Sequence, residues 1–324
     1  MSAGVLRIGT RASALALWQA NRVADLIRAQ PGAPAVELVH IRTEGDVRTD
    51  IPLWAAGGRA FFTKEIDRAQ LEGQVDIAVH SLKDLSTLIA AGLELAAVLE
   101  REDPRDALLS RHGASLAQLP RAARVGTSSL RRRAFLLRAR PDLTLLELRG
   151  NVPTRLEKLA QGKYDAIVLA TAGLKRLDLA AQIAAHIEPA VMPPAVSQGA
   201  IGVCTRAGDE NALQWLRALE HAATRIAVTA ERALLRRIEG GCQVPLGALA
   251  LLDGRQLRLN ASVCALDGTT AIDCEDQALL VADVTQAPMQ VAADLGVRVA
   301  EQLLARGAAD IIIRQRTPGG AELP

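Results

Sequence analysis

A cysteine on a short glycine-containing segment is the first residue that could carry out chemistry. Residues 239–245 read EGGCQVP and follow a run whose apolar residues recur at three- and four-residue spacing, which is typical of a helix. Gly240 and Gly241 favour an end to that helix, and Pro245 fixes the chain direction after it. The pattern predicts that Cys242 is held on an accessible tight loop. The alternative is a small buried apolar residue, the ordinary state of a free cysteine, and spacing alone favours that alternative.

Arginines stand at several predicted junctions between a strand and a helix. Residues 121–176 contain 13 Lys and Arg but only four acidic residues, in a chain whose net charge is +2. Arginine suits two-point contacts with carboxylate or phosphate, and helix amino-termini add backbone donors for anions. The pattern predicts a cleft that holds several acidic groups at once. The junction arginines are Arg11, Arg131, Arg132, Arg149, Arg155 and Arg176, with Ser13, Thr127, Ser128 and Ser129 beside them.

Nucleic acid is the natural rival as an anionic partner. The chain has one Tyr, three Phe and three Trp, and the basic segment has no interleaved aromatic residues on which bases could stack. We therefore expect no nucleic-acid binding. Arg138 and Arg140 are expected to lie on a solvated helix face.

Asp84 is the other unusual residue, because it follows a predicted buried strand and faces an arginine-rich region. A carboxylate there could stabilise a developing cation or transfer a proton. A helix cap, or an ion pair with the adjacent Lys83, explains the residue about as well.

Composition excludes several classes of protein. With 324 residues and 49% hydrophobic composition, the chain can form two or three domains with proper cores. No signal sequence and no apolar run long enough to cross a bilayer are recognised. The four cysteines lie far apart and the histidines form no ligand pairs, so we expect free thiols, a cytoplasmic location and no metal centre.

Predicted strands and helices alternate along the first two thirds of the chain, which indicates α/β architecture with ligands at the carboxyl ends of strands. Residues 8–13 resemble residues 125–129, and residues 76–79 resemble residues 165–168, which suggests two similar lobes facing a cleft. Residues 100–104 form the expected hinge, and residues 43–60 the expected lid. The predicted domains are 1–100 with 198–220, 101–197, a small α+β domain over 221–315, and a tail over 316–324.

Six motifs together resemble the porphobilinogen deaminase (hydroxymethylbilane synthase) family. They occur in that family's order and extend over nearly the whole chain. The motifs are GTRASALALWQ (9–19), HSLKD (80–84), REDPRD (101–106), GTSSLRR (126–132), LRGNVPTR (148–155) and EGGCQVP (239–245).

The resemblance implies a fold, a reaction and a cofactor. The fold is two similar α/β domains like those of periplasmic binding proteins, plus a small α+β domain. The reaction joins four porphobilinogen molecules head to tail into hydroxymethylbilane, releases ammonia, and belongs to haem biosynthesis. The cofactor is a dipyrromethane primer attached by a thioether, here to Cys242. The family is typically monomeric, and a membrane partner is not expected.

The resemblance also assigns residues. Asp84 is the catalytic carboxylate, which contacts pyrrole nitrogens, assists loss of ammonia and stabilises the resulting cation. The cofactor-binding set is Cys242, Ser13, Lys83, Thr127, Ser128, Ser129, Arg131, Arg132 and Asp46. The substrate-binding set is Arg11, Arg149, Arg155, Arg176 and Gln198.

Four positions depart from the family pattern and bear on lid, hinge and rate: Ala55, Ala60, Ser86 and Ser197. A non-catalytic two-lobed anion-binding protein is the alternative function, but that role needs neither Asp84 nor an exposed cysteine.

Overall fold

Three β-sheets organise the fold, two with five strands and one with three. The computed structural model describes residues 4–47, 63–111, 113–238, 244–280 and 287–316. The predicted attachment residue Cys242, the side chain of Asp46, and the departures Ala55 and Ala60 lie outside the described part.

The first sheet has the strand order β2-β1-β3-β10-β4. Strands β1, β2 and β3 run parallel, whereas β10 returns late in the sequence and pairs antiparallel with both β3 and β4. Its strands are β1 (Val5–Thr10), β2 (Ala35–His40), β3 (Ile77–Ser81), β4 (Leu93–Val98) and β10 (Ile201–Arg206). Its helices are α1 (Ala14–Arg28), α2 (Glu44–Val47), α3 (Lys64–Leu71) and α7 (Glu210–Leu216).

The second sheet repeats this plan in the order β7-β6-β8-β5-β9. Again three strands are parallel and the fourth, β5, is antiparallel to its neighbours. Its strands are β5 (Asp106–Ser110), β6 (Arg124–Gly126), β7 (Thr144–Leu146), β8 (Ala166–Ala170) and β9 (Ala185–Ile187). Its helices are α4 (Leu130–Ala139), α5 (Val152–Ala160) and α6 (Thr171–Arg176).

A matching ion pair marks the equivalence of the two lobes. In the first lobe Asp76 accepts from the Arg7 main-chain nitrogen at 2.8 Å and from its Nε and Nη2 at 3.1 and 2.9 Å. In the second lobe Asp165 accepts from the corresponding atoms of Arg124 at 2.8, 3.2 and 2.9 Å. The sequence likeness of these segments therefore reflects the same strand-to-strand geometry.

The third unit is an antiparallel meander covered by helices. Strands β11 (Leu246–Asp253), β12 (Gln256–Cys264) and β13 (Ala271–Leu279) pack against α8 (Ala222–Arg237), α9 (Pro288–Ala305) and α10 (Ala308–Arg316). The helices α8 and α9 approach so closely that a Cβ on Gly296 would lie 2.2 Å from the Ala230 carbonyl oxygen. This close packing against α9 fixes the position of α8, which ends at Arg237, five residues before Cys242 in the sequence.

Two chain segments connect the lobes, and we call them the crossover segments (residues 99–105 and 188–200). They hydrogen-bond to each other through Glu102 N and Gly199 O at 3.2 Å, just beyond the bond from Leu99 N to Ile201 O at 3.0 Å. The third sheet is fixed to the second crossover, where Ala248 N donates to Pro194 O at 2.9 Å. All three units therefore meet at the crossover segments.

Candidate functional site

The first lobe brings a lysine and a carboxylate to the end of β3. A 3-10 turn, Leu82–Asp84, follows the strand and leaves Lys83 half-buried and Asp84 exposed. Arg11, also half-buried, follows β1 and stands near the buried His80. Burial, and then the Arg11 charge, lower the pKa of His80 to about 4, so its ring is neutral at physiological pH. Ser13 caps α1 and accepts from Ala16 N at 3.4 Å.

The three predicted hydroxyl residues of the second lobe lie after β6 and hydrogen-bond to the main chain. Thr127 Oγ1 accepts from Ser129 N at 3.2 Å, and Ser129 Oγ caps α4 by accepting from Arg132 N at 3.4 Å. Ser128 Oγ donates to the Leu148 carbonyl oxygen. These bonds fix the loop that begins α4, so Arg131 and Arg132 start that helix in a defined orientation.

Arg131 and Arg132 share one buried carboxylate. Asp106 is 0% exposed, its Oδ2 accepts from Arg131 Nη2 at 2.7 Å, and its Oδ1 accepts from Arg132 Nη2 at 2.7 Å and Nε at 3.0 Å. Burial alone would raise the pKa of Asp106, but the two guanidinium groups lower it to about 2. The remaining donors reach main-chain oxygens, with Arg131 Nη1 bonded to Pro193 O and Arg132 Nη1 to Val168 O. Arg131 Nε is buried and has no partner among the described residues.

A second group of cations lies beside Asp84. Burial, followed by the charges of Arg132 and Arg149, lowers the pKa of Arg155 to about 10, while Asp84 acts in the opposite direction. Arg155 Nε donates to Gly150 O at 2.8 Å, which orients the guanidinium at the start of α5. A carboxylate from the first lobe and arginines from the second therefore share one electrostatic environment.

Lys83 connects the two groups of charges. Its Nζ donates to Gln198 Oε1 at 3.2 Å, and Gln198 Nε2 donates to Asp106 Oδ1 at 3.1 Å. Burial, with smaller contributions from Arg132 and Arg131, lowers the pKa of Lys83 to about 8 against the opposing charges of Asp84 and Asp106. The pKa of Lys83 therefore depends on carboxylates from both lobes and on arginines of the second lobe.

Arg176 lies apart from these groups, on the crossover side. Its Nη2 donates to Gly199 O at 2.6 Å and its guanidinium lies 5.7 Å from the centre of the Trp18 ring. Burial lowers its pKa to about 10, against the opposing charge of Glu102. Arg11 and Arg176 therefore have neighbours that differ from those of Arg131, Arg132, Arg149 and Arg155.

Two further carboxylates contribute to this region and were not assigned a role from the sequence. Asp106 is one, and Glu231 of α8 is the other. Glu231 is 0% exposed and accepts from Arg101 Nη1 at 2.6 Å, from Ser197 N at 2.6 Å and from Ala250 N at 2.8 Å. An acidic residue directly before or within an apolar run signals such a buried partner, but the sequence does not say which arginine it meets.

Within the described residues, no cluster of three or more His, Cys, Asp or Glu side chains could hold a metal ion. No helix in the same part of the chain is long and apolar enough to cross a membrane.

Comparison with known proteins gives consistent matches along most of the chain. The family model for the porphobilinogen deaminase, dipyromethane cofactor binding domain matches residues 6–214, and that for the C-terminal domain of porphobilinogen deaminase matches residues 225–305. The porphobilinogen deaminase of Syntrophotalea carbinolica is 47% identical over 312 residues, 96% of each chain. That of Roseiflexus castenholzii is 50% identical over 302 residues, 93% of this chain and 96% of the relative.

Solved structures give a looser likeness. A nutrient binding protein from Burkholderia cenocepacia bound to methionine is 16% identical, with a TM-score of 0.44 over 68% of this chain and 93% of that one. This likeness concerns the fold, and no conclusion about the site rests on it.

Proposed function

Because this chain belongs to the porphobilinogen deaminase family, we propose that the cleft between its two lobes is where four porphobilinogen molecules are joined into hydroxymethylbilane. The family is one of transferases, and it uses a dipyrromethane cofactor. One observation carries the assignment to this cleft: Asp84 of the first lobe shares its electrostatic environment with Arg132, Arg149 and Arg155 of the second. A non-catalytic anion-binding role is not favoured.

The charges of the cleft suit a polyanionic chain. Porphobilinogen units carry acetate and propionate groups, so each added unit increases the negative charge. Among the described residues that interact there, five cations (Lys83, Arg131, Arg132, Arg149 and Arg155) outnumber three carboxylates (Asp84, Asp106 and Glu147). The buried Nε of Arg131 offers a further donor to a carboxylate oxygen.

The residues therefore fit a dipyrromethane, which supplies a primer to which units are added. We assign its carboxylates to Arg131, Arg132 and Lys83, and its thioether to Cys242. Ser13, Thr127, Ser128, Ser129 and Asp46 complete the proposed cofactor set. The incoming substrate is assigned to Arg11, Arg149, Arg155, Arg176 and Gln198.

Asp84 is the carboxylate best placed for chemistry. Asp106 is fully buried and already accepts from two arginines, whereas Asp84 is exposed at the end of its turn. When the carbon–nitrogen bond of the substrate aminomethyl group breaks, nitrogen leaves as ammonia and positive charge remains on the pyrrole. Arginine walls alone would disfavour that cation, and a carboxylate next to it lowers the barrier. A new carbon–carbon bond then forms at the methylene carbon that lost ammonia, and the ring carbon that joins it releases one proton.

Intact-protein mass tests the attachment. The purified protein should exceed its sequence mass by a two-pyrrole adduct that Cys242→Ser lacks. An unmodified mass in a preparation that makes tetrapyrrole would exclude the thioether.

Turnover tests the catalytic assignment. Asp84→Asn should keep the adduct but lose roughly 10²–10⁴-fold in rate, the usual contribution of a positioned carboxylate. The matched control is Asp25→Asn, which removes the charge of an exposed aspartate that pairs with Arg28 near the end of α1 and should leave turnover unchanged. Near-normal turnover of Asp84→Asn would remove this residue from the mechanism.

Arginine truncation tests the carboxylate contacts. Arg149→Ala or Arg155→Ala should stall elongation, visible as enzyme-bound intermediates of incomplete length by mass spectrometry. The parental distribution of bound species in both variants would contradict these contacts.

The setting in which the enzyme works is also part of the proposal. We assign it to the cytoplasm as a monomer acting on a small molecule, with no nucleic-acid partner. Free thiols at Cys204, Cys264 and Cys274 support a reducing compartment. The working division is two lobes over 1–100 with 198–220 and over 101–197, a third domain over 221–315 and a tail over 316–324. Light scattering of the purified protein at a dimer mass would contradict the monomer.

A further inference from the structure

The amide N–H₂ group and the amide oxygen of Gln198 both have hydrogen-bond partners at the junction of the two lobes. It is 1% exposed, its Nε2 donates to Pro104 O at 2.7 Å and to Asp106 Oδ1 at 3.1 Å, and its Oε1 accepts from Lys83 Nζ at 3.2 Å. An amide has two N–H donors and one carbonyl acceptor, and each has a partner here. A carboxylate on one side and an ammonium group on the other define which end is nitrogen. Gln198 therefore has a single favourable orientation.

The two side chains that Gln198 joins belong to different lobes, and Gln198 lies between them. Lys83 belongs to the turn that carries Asp84 in the first lobe. Asp106 begins β5 of the second lobe and holds Arg131 and Arg132. Gln198 itself lies on the second crossover segment, and its main-chain oxygen accepts from Arg101 Nε of the first crossover at 2.8 Å. The result is a continuous chain of hydrogen bonds from the Asp84 turn to the arginine pair.

We propose that Gln198 and Asp106 are positioning residues for the reaction, which hold the Asp84 turn of one lobe at a fixed place relative to Arg131 and Arg132 of the other. The proposal rests on the proposed function, in which Asp84 acts on a chain whose carboxylates the second lobe binds. For the side chain of Gln198, assigned above to the incoming substrate, it puts a positioning role in place of direct contact, because both N–H groups of the amide already donate and its oxygen already accepts from Lys83.

The physical reason is that catalyst and substrate grip reside on different lobes. Binding depends on the arginines, whereas rate depends on the placement of Asp84 against a substrate that those arginines hold. A misplacement of about 1 Å costs roughly 10²-fold in rate. Loss of the Lys83–Gln198–Asp106 chain should therefore lower kcat much more than it changes KM.

Gln198→Met tests this role, because methionine has similar length but forms none of the three bonds. We expect kcat to fall about 10- to 100-fold with KM within about threefold of the parent. The matched control is Gln70→Met, since Gln70 is another 0% exposed glutamine bonded to a main-chain oxygen, that of Cys204 at 2.9 Å, in the first lobe. This control should leave kcat within about twofold, although it loses a buried hydrogen bond as well.

The outcomes separate the positioning role from the proposed function. A higher KM at parental kcat in Gln198→Met would assign the amide to substrate binding and overturn the proposal. Parental kcat and KM would overturn it too, while leaving the assignment of Asp84 intact if Asp84→Asn is inactive. If Gln198→Met does not fold, Gln198→Asn supplies the test, since it keeps the amide but is one carbon too short to reach both Lys83 and Asp106.

A second measurement probes the chain without relying on turnover. Lys83 faces Asp84, Asp106, Arg131 and Arg132, and Asp106 raises its pKa. In Asp106→Asn the pH midpoint for acylation of Lys83 by acetic anhydride, read by peptide mass spectrometry, should move to lower pH. Lys158, which donates to Arg149 O, is the internal control and should keep its midpoint. An unmoved Lys83 midpoint would show that Asp106 does not act on the lysine.

Discussion

Glu231 offers the sharpest test of how the three units are held together. Its carboxylate has no exposed surface and receives Arg101 Nη1 at 2.6 Å and Nη2 at 3.3 Å, together with the Ser197 and Ala250 main-chain N–H groups. These donors come from both crossover segments and from β11. Glu231→Gln keeps the shape but removes the charge and turns an N–H₂ group toward a donor.

The expected loss follows from burial. Removing one partner of a buried ion pair costs about 3–5 kcal/mol, because the other charge stays buried without compensation. At roughly 2–4 °C per kcal/mol for chains of 150–250 residues, the midpoint of thermal unfolding should fall by about 6–20 °C. Differential scanning calorimetry of the protein with its cofactor attached measures this directly.

Glu301→Gln is the matched control. Glu301 of α9 accepts from Arg237 Nη2 of α8 at 2.7 Å, and about half of each side chain is exposed. Such pairs contribute about 0–1 kcal/mol, so the midpoint should move by no more than a few degrees. Equal shifts in the two variants would refute the reasoning from burial.

A double replacement sharpens the test. Replacing an isolated buried ion pair by apolar residues often restores stability. Arg101→Met with Glu231→Leu should not do so, because the N–H groups of Ser197 and Ala250 would lose their acceptor at about 1–3 kcal/mol each. Full recovery of the unfolding midpoint would mean that those two bonds contribute little.

Three further predictions concern the same junction. Ser197 has φ of +63° and a buried hydroxyl without a partner among the described residues. Ser197→Gly should therefore raise the free energy of unfolding by about 1–2 kcal/mol, measured by thermal unfolding. Ser197→Ala keeps the backbone strain and should gain less. Gly199→Ala places a Cβ 2.3 Å from a main-chain oxygen of the first crossover and should lower the free energy of unfolding by several kcal/mol. The control is Gly208→Ala, at φ of +75°, where an added Cβ has no atom of a non-adjacent described residue within 4 Å. This variant should lose only about 1 kcal/mol. The pKa of Asp106 is lowered to about 2. Its contribution of roughly 2 kcal/mol to the free energy of unfolding is therefore complete above about pH 4 and is lost as the pH falls toward 2. Acid unfolding of Asp106→Asn should lack this pH dependence.

Local signals at strand ends were sufficient to predict several features of the cleft. Ser13 and Ser129, singled out from the sequence beside the junction arginines, cap helices, because serine before an amphipathic run is a preferred N-cap residue. The likeness of the two lobes is confirmed by their common strand order. The buried strand before Asp84, which the apolar run over residues 75–79 indicates, spans Ile77–Ser81, since Asp76 pairs with Arg7 before the strand begins.

Ion pairs between residues far apart in the chain could not be predicted from a single sequence. Residues 100–104 indicated a charged hinge. Nothing in that run shows that Asp106, two residues further on at the start of a buried strand, meets arginines 25 and 26 positions later. The same holds for Glu231, which lies 130 positions from Arg101. Such pairs depend on which elements become neighbours in space. Cys242 and Asp46 lie outside the described residues, so their roles remain predictions.

The repeated scaffold explains why the chemistry is unequal between lobes. Asp76 and Asp165 occupy equivalent positions, so counting eight residues onward from each brings Asp84 and Gly173 to corresponding places. A Cβ on Gly173 would touch Leu15 of the first lobe at 3.4 Å, and a carboxylate there would meet an apolar helix face instead of the cleft. The first lobe thus supplies the carboxylate and the second supplies most of the arginines. Under the proposed function, a second carboxylate opposite Asp84 would cancel charge needed for the growing polyanion, whereas a single one there provides negative charge only where a cation has to form.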